Sequence, residues 1–151
     1  MNSDLVYKPN RIAIGSDHAG FFLKEIIRKY LEKKGMTIKD CGCFSEERAD
    51  YPDYGHLVAK QVESKESEVG IIMCGSGNGI NMAANKHAGI RSALCWNEEI
   101  TKLARLHNDA NVLALPARFM EEEEAIRCVD IFLTTAFEGG RHADRIKKIA
   151  C

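Results

Sequence analysis

The stretch Glu68 to Lys86, EVGIIMCGSGNGINMAANK, restricts the possible folds of this chain more than any other. It opens with a short apolar run, Val69 to Met73, of the length and composition of a buried strand. Three glycines separated by single residues follow, Gly75, Gly77 and Gly79, and then Ile80, Met82, Ala83 and Ala84, which read as a helix. A strand, a glycine loop and a helix start together form an anion site, because free backbone N–H groups and the positive end of the helix dipole converge there. Cys74 stands at the strand's end, where that dipole favours the thiolate. A base beside an oxyanion-binding loop is the minimum equipment for moving a proton next to a carbonyl.

A tight strand-to-helix turn with a buried, inert cysteine would look the same, and the stretch alone leaves both readings open. No Gly-Lys-Ser/Thr follows, so the loop is not a P-loop. Ile80 stands where a dinucleotide-binding fingerprint has its third glycine.

The surrounding chain supplies the fold class. Arg11 to Gly15 reads as a strand, and Phe21 to Lys34 as a helix with Leu23, Ile26, Ile27, Tyr30 and Leu31 on one face. Gly35 ends that helix and Met36 to Cys41 alternates like a second strand. CGCFSEERADYPDYG is polar and irregular, an exposed loop; Asp53 is expected to cap a helix to about Ser64 with Leu57, Val58 and Val62 inward. Further on come a strand over Arg91 to Cys95, a helix capped by Asn97 and running through His107, and a strand over Val112 to Leu115 closed by Pro116. Glu121 to Glu124 open the next helix, where negative charge suits the dipole, with Ile126, Val129, Leu133 and Ala136 as its expected buried stripe. Gly139-Gly140 breaks the chain before a last short helix.

Five short apolar strands alternating with helices predict an α/β fold, a single-domain, doubly wound, Rossmann-like five-stranded parallel sheet flanked by helices. Its 151 residues make one domain, with residues 1–10 a loose lead-in ending near Pro9. Ligands of such folds bind beyond the carboxyl ends of the strands, where Asp17, His18 and Cys74 to Gly79 fall.

A net charge of −1 offers no general attraction for nucleic acid or a membrane surface. MNSDLVYKPN lacks the cationic flank and apolar core of a signal peptide, and no apolar run approaches the roughly 20 residues of a membrane span. The six cysteines are scattered, with no C-x-x-C pair to suggest zinc or redox chemistry, and no ligand cluster is visible. These features lead to the expectation of a reducing, cytoplasmic compartment.

Several side chains carry two readings each. Asp17-His18 suits orientation of a sugar hydroxyl and a phosphate, or a helix cap beside an exposed imidazole. His107 continues the spacing of Ile100 and Leu103 and so is expected to face inward, as a core histidine or as an acid-base group opening the run HNDAN. Arg141 and Arg145, one helical turn apart around His142, form an arginine fork for a phosphate or a solvated basic face. Arg118 is a further candidate cation, while His56 and His87 receive no role.

GSDHAG, RADYPDYG, CGSGNGI followed by ANK, GIR, RLHNDANVLA and EGGRHADR, in that order over residues 11–150, resemble the ribose-5-phosphate isomerase B family of sugar-phosphate isomerases, a superfamily that includes galactose-6-phosphate isomerase. The resemblance implies interconversion of ribose 5-phosphate and ribulose 5-phosphate in the non-oxidative pentose phosphate pathway, without metal or cofactor. It implies a homodimer, leaving tetramers open, with each site completed by both chains. By motif, Cys74 would be the base moving the proton between C2 and C1. Gly75, Gly77, Asn78 and Gly79, with Asn108, would stabilise the enediolate oxyanion. Ser76 would relay a proton and His107 would open the furanose ring. Asp17 and Tyr51 would contact sugar hydroxyls, and His18, Arg118, Arg141 and Arg145 would hold the phosphate. Family members use either a cysteine after the third strand or a glutamate in the loop that follows. Ile80 and Asn81 carry no acid here, which places the chain with the cysteine type. Two alternatives remain open: a six-carbon substrate such as allose 6-phosphate or galactose 6-phosphate, and a non-catalytic phosphate- or nucleotide-binding module that leaves Cys74 idle.

Overall fold

The computed structural model describes residues 7–151. Strands β1 (Arg11–Ser16), β2 (Thr37–Asp40), β3 (Val69–Cys74), β4 (Ser92–Leu94) and β5 (Val112–Pro116) form one parallel sheet in the order β2-β1-β3-β5-β4. The helices are α1 (Phe21–Lys33), α2 (Tyr51–Glu63), α3 (Asn78–Ala84), α4 (Glu98–Asn108), α5 (Glu122–Thr134) and α6 (Arg141–Lys147), with a single 3₁₀ turn over His18–Gly20. The expected doubly wound α/β fold is the fold found.

Side-chain alternation along the strands explains why helices cover both faces. Ile12, Ile14, Ile71, Met73, Leu113 and Leu115 point to one side and join Leu23, Ile27 and Leu31 of α1 with Val129, Phe132 and Leu133 of α5. Ala13, Ile72, Cys74, Val112 and Ala114 point to the other side, against Val58, Ala59 and Val62 of α2 and Ile80 and Ala84 of α3. The Cys74 side chain therefore lies on the α2/α3 face.

The chain leaves β1 for β2 on one side and returns through α2 to β3 on the other. The sheet order thus reverses between β1 and β3, which opens the crevice where such folds bind ligands. Ser16 pairs in register with Met73, so Asp17 and Cys74 are the first residues beyond that pair on either side of the crevice.

Several details differ from expectation. Strand β2 is confined to Thr37–Asp40, leaving out Met36 and Cys41. Helix α2 begins at Tyr51, with Asp50 at the cap and a proline in its first turn, so Asp53 lies inside the helix rather than capping it. Leu57 is exposed. Ala136 lies past the end of α5 and is exposed, and Ala125, Cys128, Val129, Phe132 and Leu133 are the buried residues of that helix. On α4 the buried stripe is Thr101, Ala104 and Arg105, one position round from the expected face, so His107 is only half buried. Of the expected loose lead-in, residues 1–6 lie outside the described part. Pro9 is buried, and the Tyr7 ring sits 3.9 Å from the Arg105 guanidinium, so this piece is tied down. Among the described residues, no helix is long and apolar enough to cross a membrane.

Candidate active site

The first half of the site lies at the carboxyl edge of the sheet. Asp17 ends the extended run of β1; its Oδ1 accepts the Gly20 N–H at 3.1 Å, so it caps the 3₁₀ turn. Its carboxylate is nonetheless buried, which a simple surface cap does not require. His18 Nδ1 lies 3.2 Å from both the backbone N–H and the carbonyl oxygen of Ala49, so the Ala49 backbone fixes the ring in either tautomer.

Cys74 closes β3 and is 4% exposed. Beyond it, the Ala117 and Arg118 amides donate to the Cys74 and Gly75 carbonyls at 2.9 and 3.0 Å, lacing the loop after β5 to the glycine loop. Gly77 has φ +77° at the cap of α3, and a Cβ there would lie 3.0 Å from the Leu115 carbonyl carbon. Only glycine suits both demands. A Cβ on Gly79 would enter the Tyr51 ring, and one on Gly75 would sit 3.3 Å from Arg118 Nη1 and 3.7 Å from Ala19 Cβ. Tyr51, Arg118 and the turn carrying Asp17 and His18 therefore border the glycine loop. The Ser76 Oγ accepts the Asn78 N–H at 3.3 Å, while the next amides of this first helical turn have no intrahelical acceptor. One edge of the chain thus gathers Asp17, His18, Tyr51, Cys74, Gly75, Ser76, Gly77, Asn78, Gly79 and Arg118.

The other predicted residues are not there. Helix α4 returns from the carboxyl end of β4 to the amino end of β5, a run of about 16 Å for a helix of this length, so His107 and Asn108 emerge at the opposite edge. Arg91, which precedes β4, donates from Nε to the Asn108 carbonyl at 3.0 Å, and the Asn111 amide donates to the Arg91 carbonyl before β5 begins. The Glu138 amide donates to the Leu106 carbonyl and brings the start of α6 to the same place. His107, Asn108, Arg141 and Arg145 therefore form a second group, separated from Cys74 by the length of the sheet.

Two residues of this group escaped the sequence reading. His142 is 3% exposed and stacks on His107, with ring centroids 4.2 Å apart and planes 15° from parallel. Its Nε2 has no partner among the described residues. Burial, reinforced by His107 and Arg141, lowers its pKa below the ordinary imidazole value. Glu138 places Oε2 3.8 Å from His107 Nε2. One hint was present in the sequence, His142 between two arginines. The donor atoms of His107, Glu138 and His142 lie within 4.8 Å of one another, a cluster the scattered histidines did not announce. The two rings stack rather than converge on a point, and Arg141 and Arg145 stand beside them without an ion-pair partner among the described residues. That charge suits an anion better than a cation.

The chemistry of the two edges is complementary. One holds a thiol and an amide-lined loop; the other holds an imidazole and two arginines.

Comparison with known proteins agrees with this fold. The family model described as Ribose/Galactose Isomerase matches residues 12–149. The ribose-5-phosphate isomerase B of Escherichia coli is 45% identical over 139 residues, covering 92% of this chain and 93% of that protein. The solved ribose-5-phosphate isomerase B of Clostridium thermocellum superposes with a TM-score of 0.91 at 47% identity, covering 92% of this chain and 94% of that one. The enzyme of Mycoplasma genitalium, solved with bound ribulose-5-phosphate, gives a TM-score of 0.87 at 45% identity over 92% of this chain and 93% of that one. The chain belongs to the ribose/galactose isomerase family.

Proposed function

We infer that this protein is an aldose–ketose isomerase that interconverts ribose 5-phosphate and ribulose 5-phosphate. The observation that carries the reading is the ligand of its Mycoplasma genitalium relative, a ribulose-5-phosphate held on the same fold at 45% identity. The thiol beside the glycine loop is the matching chemistry in this chain.

Ribose 5-phosphate exists mainly as a ring, so the first task is to release its carbonyl. His107 serves this step by taking the proton of the ring hydroxyl and returning one to the ring oxygen. The Cys74 thiolate then removes the proton on C2. The electrons move toward the carbonyl oxygen, and the loop amides of Gly75 to Gly79, with Asn108, hold the developing enediolate. Ser76 relays the proton of the C2 hydroxyl to the oxygen on C1, Cys74 returns its proton to C1, and the carbonyl re-forms at C2 as the ketose. Asp17 and Tyr51 hold sugar hydroxyls. His18, Arg118, Arg141 and Arg145 grip the phosphate, whose binding energy places C1 and C2 against the thiol. The loop amides supply the stabilisation that a metal would otherwise give.

Such a substrate cannot span both edges of one chain. The reading therefore requires two copies, the carboxyl edge of one facing the amino edge of the other, so that each site takes Cys74 from one copy and His107 from its partner. The apolar side chains Leu57 of α2 and Met82 of α3 stand exposed on the single chain and suit burial against a second copy.

The direct test is ketose formation from ribose 5-phosphate by the purified protein in the presence of a chelator. Turnover supports both the reaction and its freedom from metal. Inertness toward ribose 5-phosphate, with turnover of allose or galactose 6-phosphate, would move the assignment to a six-carbon substrate. Inertness toward all of them would remove it.

A further inference from the structure

We propose that Lys24 and Asp40 are a positioning pair, which fixes where Asp17 and His18 meet the substrate although neither bonds to a residue assigned to the site. The proposal rests on the isomerase reading above. Lys24 is fully buried on α1. Its Nζ donates to Asp40 Oδ1 and Oδ2 at 3.0 and 2.8 Å and to Glu25 Oε1 at 2.8 Å, between the rings of Phe21 and Phe44. Arg28 Nε lies 3.7 Å from Asp40 Oδ2. Burying an ammonium is costly, and an apolar side chain of similar volume at such a site is often as stable or more so. A charge at this position therefore does little for stability that packing would not do.

From Asp40 the restraint passes to the site through backbone hydrogen bonds. Asp40 ends β2, and its Oδ1 also accepts the Gly42 N–H at 2.9 Å. The Gly42 carbonyl accepts the Ser16 N–H at 2.7 Å, and the Cys43 N–H returns to the Ser16 carbonyl at 2.9 Å. Ser16 is bonded to Asp17. At the other end of this loop, the Ala49 backbone holds the His18 ring at Nδ1, and Tyr51 begins α2 two residues later. The loop from Cys41 to Asp50 is thus anchored at one end by Lys24–Asp40 and grips the phosphate-side histidine at the other. A shift of its anchored end moves the backbone of Ser16 and the aim of His18 together. Gly42 leaves the loop little slack, because at φ +96° a Cβ would lie 2.8 Å from the Tyr54 ring.

The test is a mutant cycle between Asp40 and His18, read in steady-state kinetics on ribose 5-phosphate, with melting midpoints recorded for every variant. Asp40→Ala is expected to raise KM about tenfold with kcat within about twofold, and Asp40→Asn, which keeps shape and an oxygen for the Gly42 amide, about threefold. In a His18→Ala background, where the aimed ring is gone, Asp40→Ala should raise KM by less than about twofold. If Asp40→Ala does not fold, Asp40→Asn takes its place in the cycle. Multiplication of the two effects, or a lowered melting midpoint with KM unchanged, would overturn the proposal by reducing the pair to a structural role. Inertness of the wild-type chain toward ribose 5-phosphate would instead overturn the isomerase reading, and the proposal with it.

Discussion

At the scale of single residues, the proposed proton transfer depends on a thiol at a strand end. Cys74 is placed by β3, faces the α2/α3 core and opens into a loop in which Gly77 and Gly79 leave no room for side chains. Replacing it with alanine should lower kcat by a factor of about 10² to 10⁴, the usual worth of a positioned acid–base group. KM should change little, because the phosphate contacts remain. Loss of solvent exchange at the C2 hydrogen should accompany the loss of turnover, and exchange persisting in Cys74→Ala would assign the base elsewhere. Cys74 was legible in sequence because an apolar run, a cysteine and three spaced glycines admit few foldings. Lys24 was not. Its helical position reads as solvated, and only β2 packing beside α1 shows that its ammonium is enclosed. His142 was half legible: the arginines beside it announce an anion, but its stacking on His107 depends on a tertiary contact across 35 positions of sequence.

At the scale of elements, the amino edge is held by a buried arginine. Arg105 of α4 donates to the carbonyls of Thr135 and Ala110 at 2.9 and 2.6 Å and to Asp109 Oδ1 at 2.9 Å. It thereby ties the end of α4, the end of α5 and the start of β5 into one piece, on which His107 and Glu138 are carried. Arg105→Met should destabilise the fold by about 2–4 kcal/mol, since the Thr135 and Ala110 carbonyls lose a charged donor while Asp109 keeps Arg91. A change below about 1 kcal/mol in urea unfolding would show that the network is dispensable. Elements also govern the response to acid. A hydrogen bond from Arg28 holds the Glu25 carboxyl down near a pKa of about 2. The Gly89 amide and His87 lower Glu63, and the Arg11 and Asn10 amides lower Glu68. Each is depressed in the folded state, so its stabilisation is complete above the ordinary value of 4.5 and is lost as pH falls below it. His142, lowered from 6.5 mainly by burial, adds a loss that begins below that value, where the unfolded chain gains the proton first. The urea midpoint should therefore decline from pH 6.5 downward and more steeply below 4.5, and Arg28→Met should flatten the acid limb. An acid limb unchanged in Arg28→Met would contradict the assignment. Element boundaries were the less legible part: the start of α2 and the exposed Ala136 depended on a proline in a first turn and on where α5 frays, and neither leaves a periodic trace.

At the scale of the whole molecule, the site residues divide between the two edges of the sheet. The division follows from parallel topology, since a helix between parallel strands ends at the edge opposite to the strand that precedes it. Residue types in sequence order do not display it; the direction of α4 does. A sugar phosphate that needs both the Cys74 loop and the His107–Arg141–Arg145 group must be bound between copies. Mixing two inactive variants tests this most directly. Cys74→Ala and His107→Ala chains, unfolded together in equal amounts and refolded, should each be nearly inert alone. Together they should recover about a quarter of wild-type activity, because half of the random two-fold dimers are mixed and each mixed dimer holds one intact site of two. Recovery near that level would show that each site draws its thiol and its imidazole from different chains. A mixture no more active than its components would contradict the shared site.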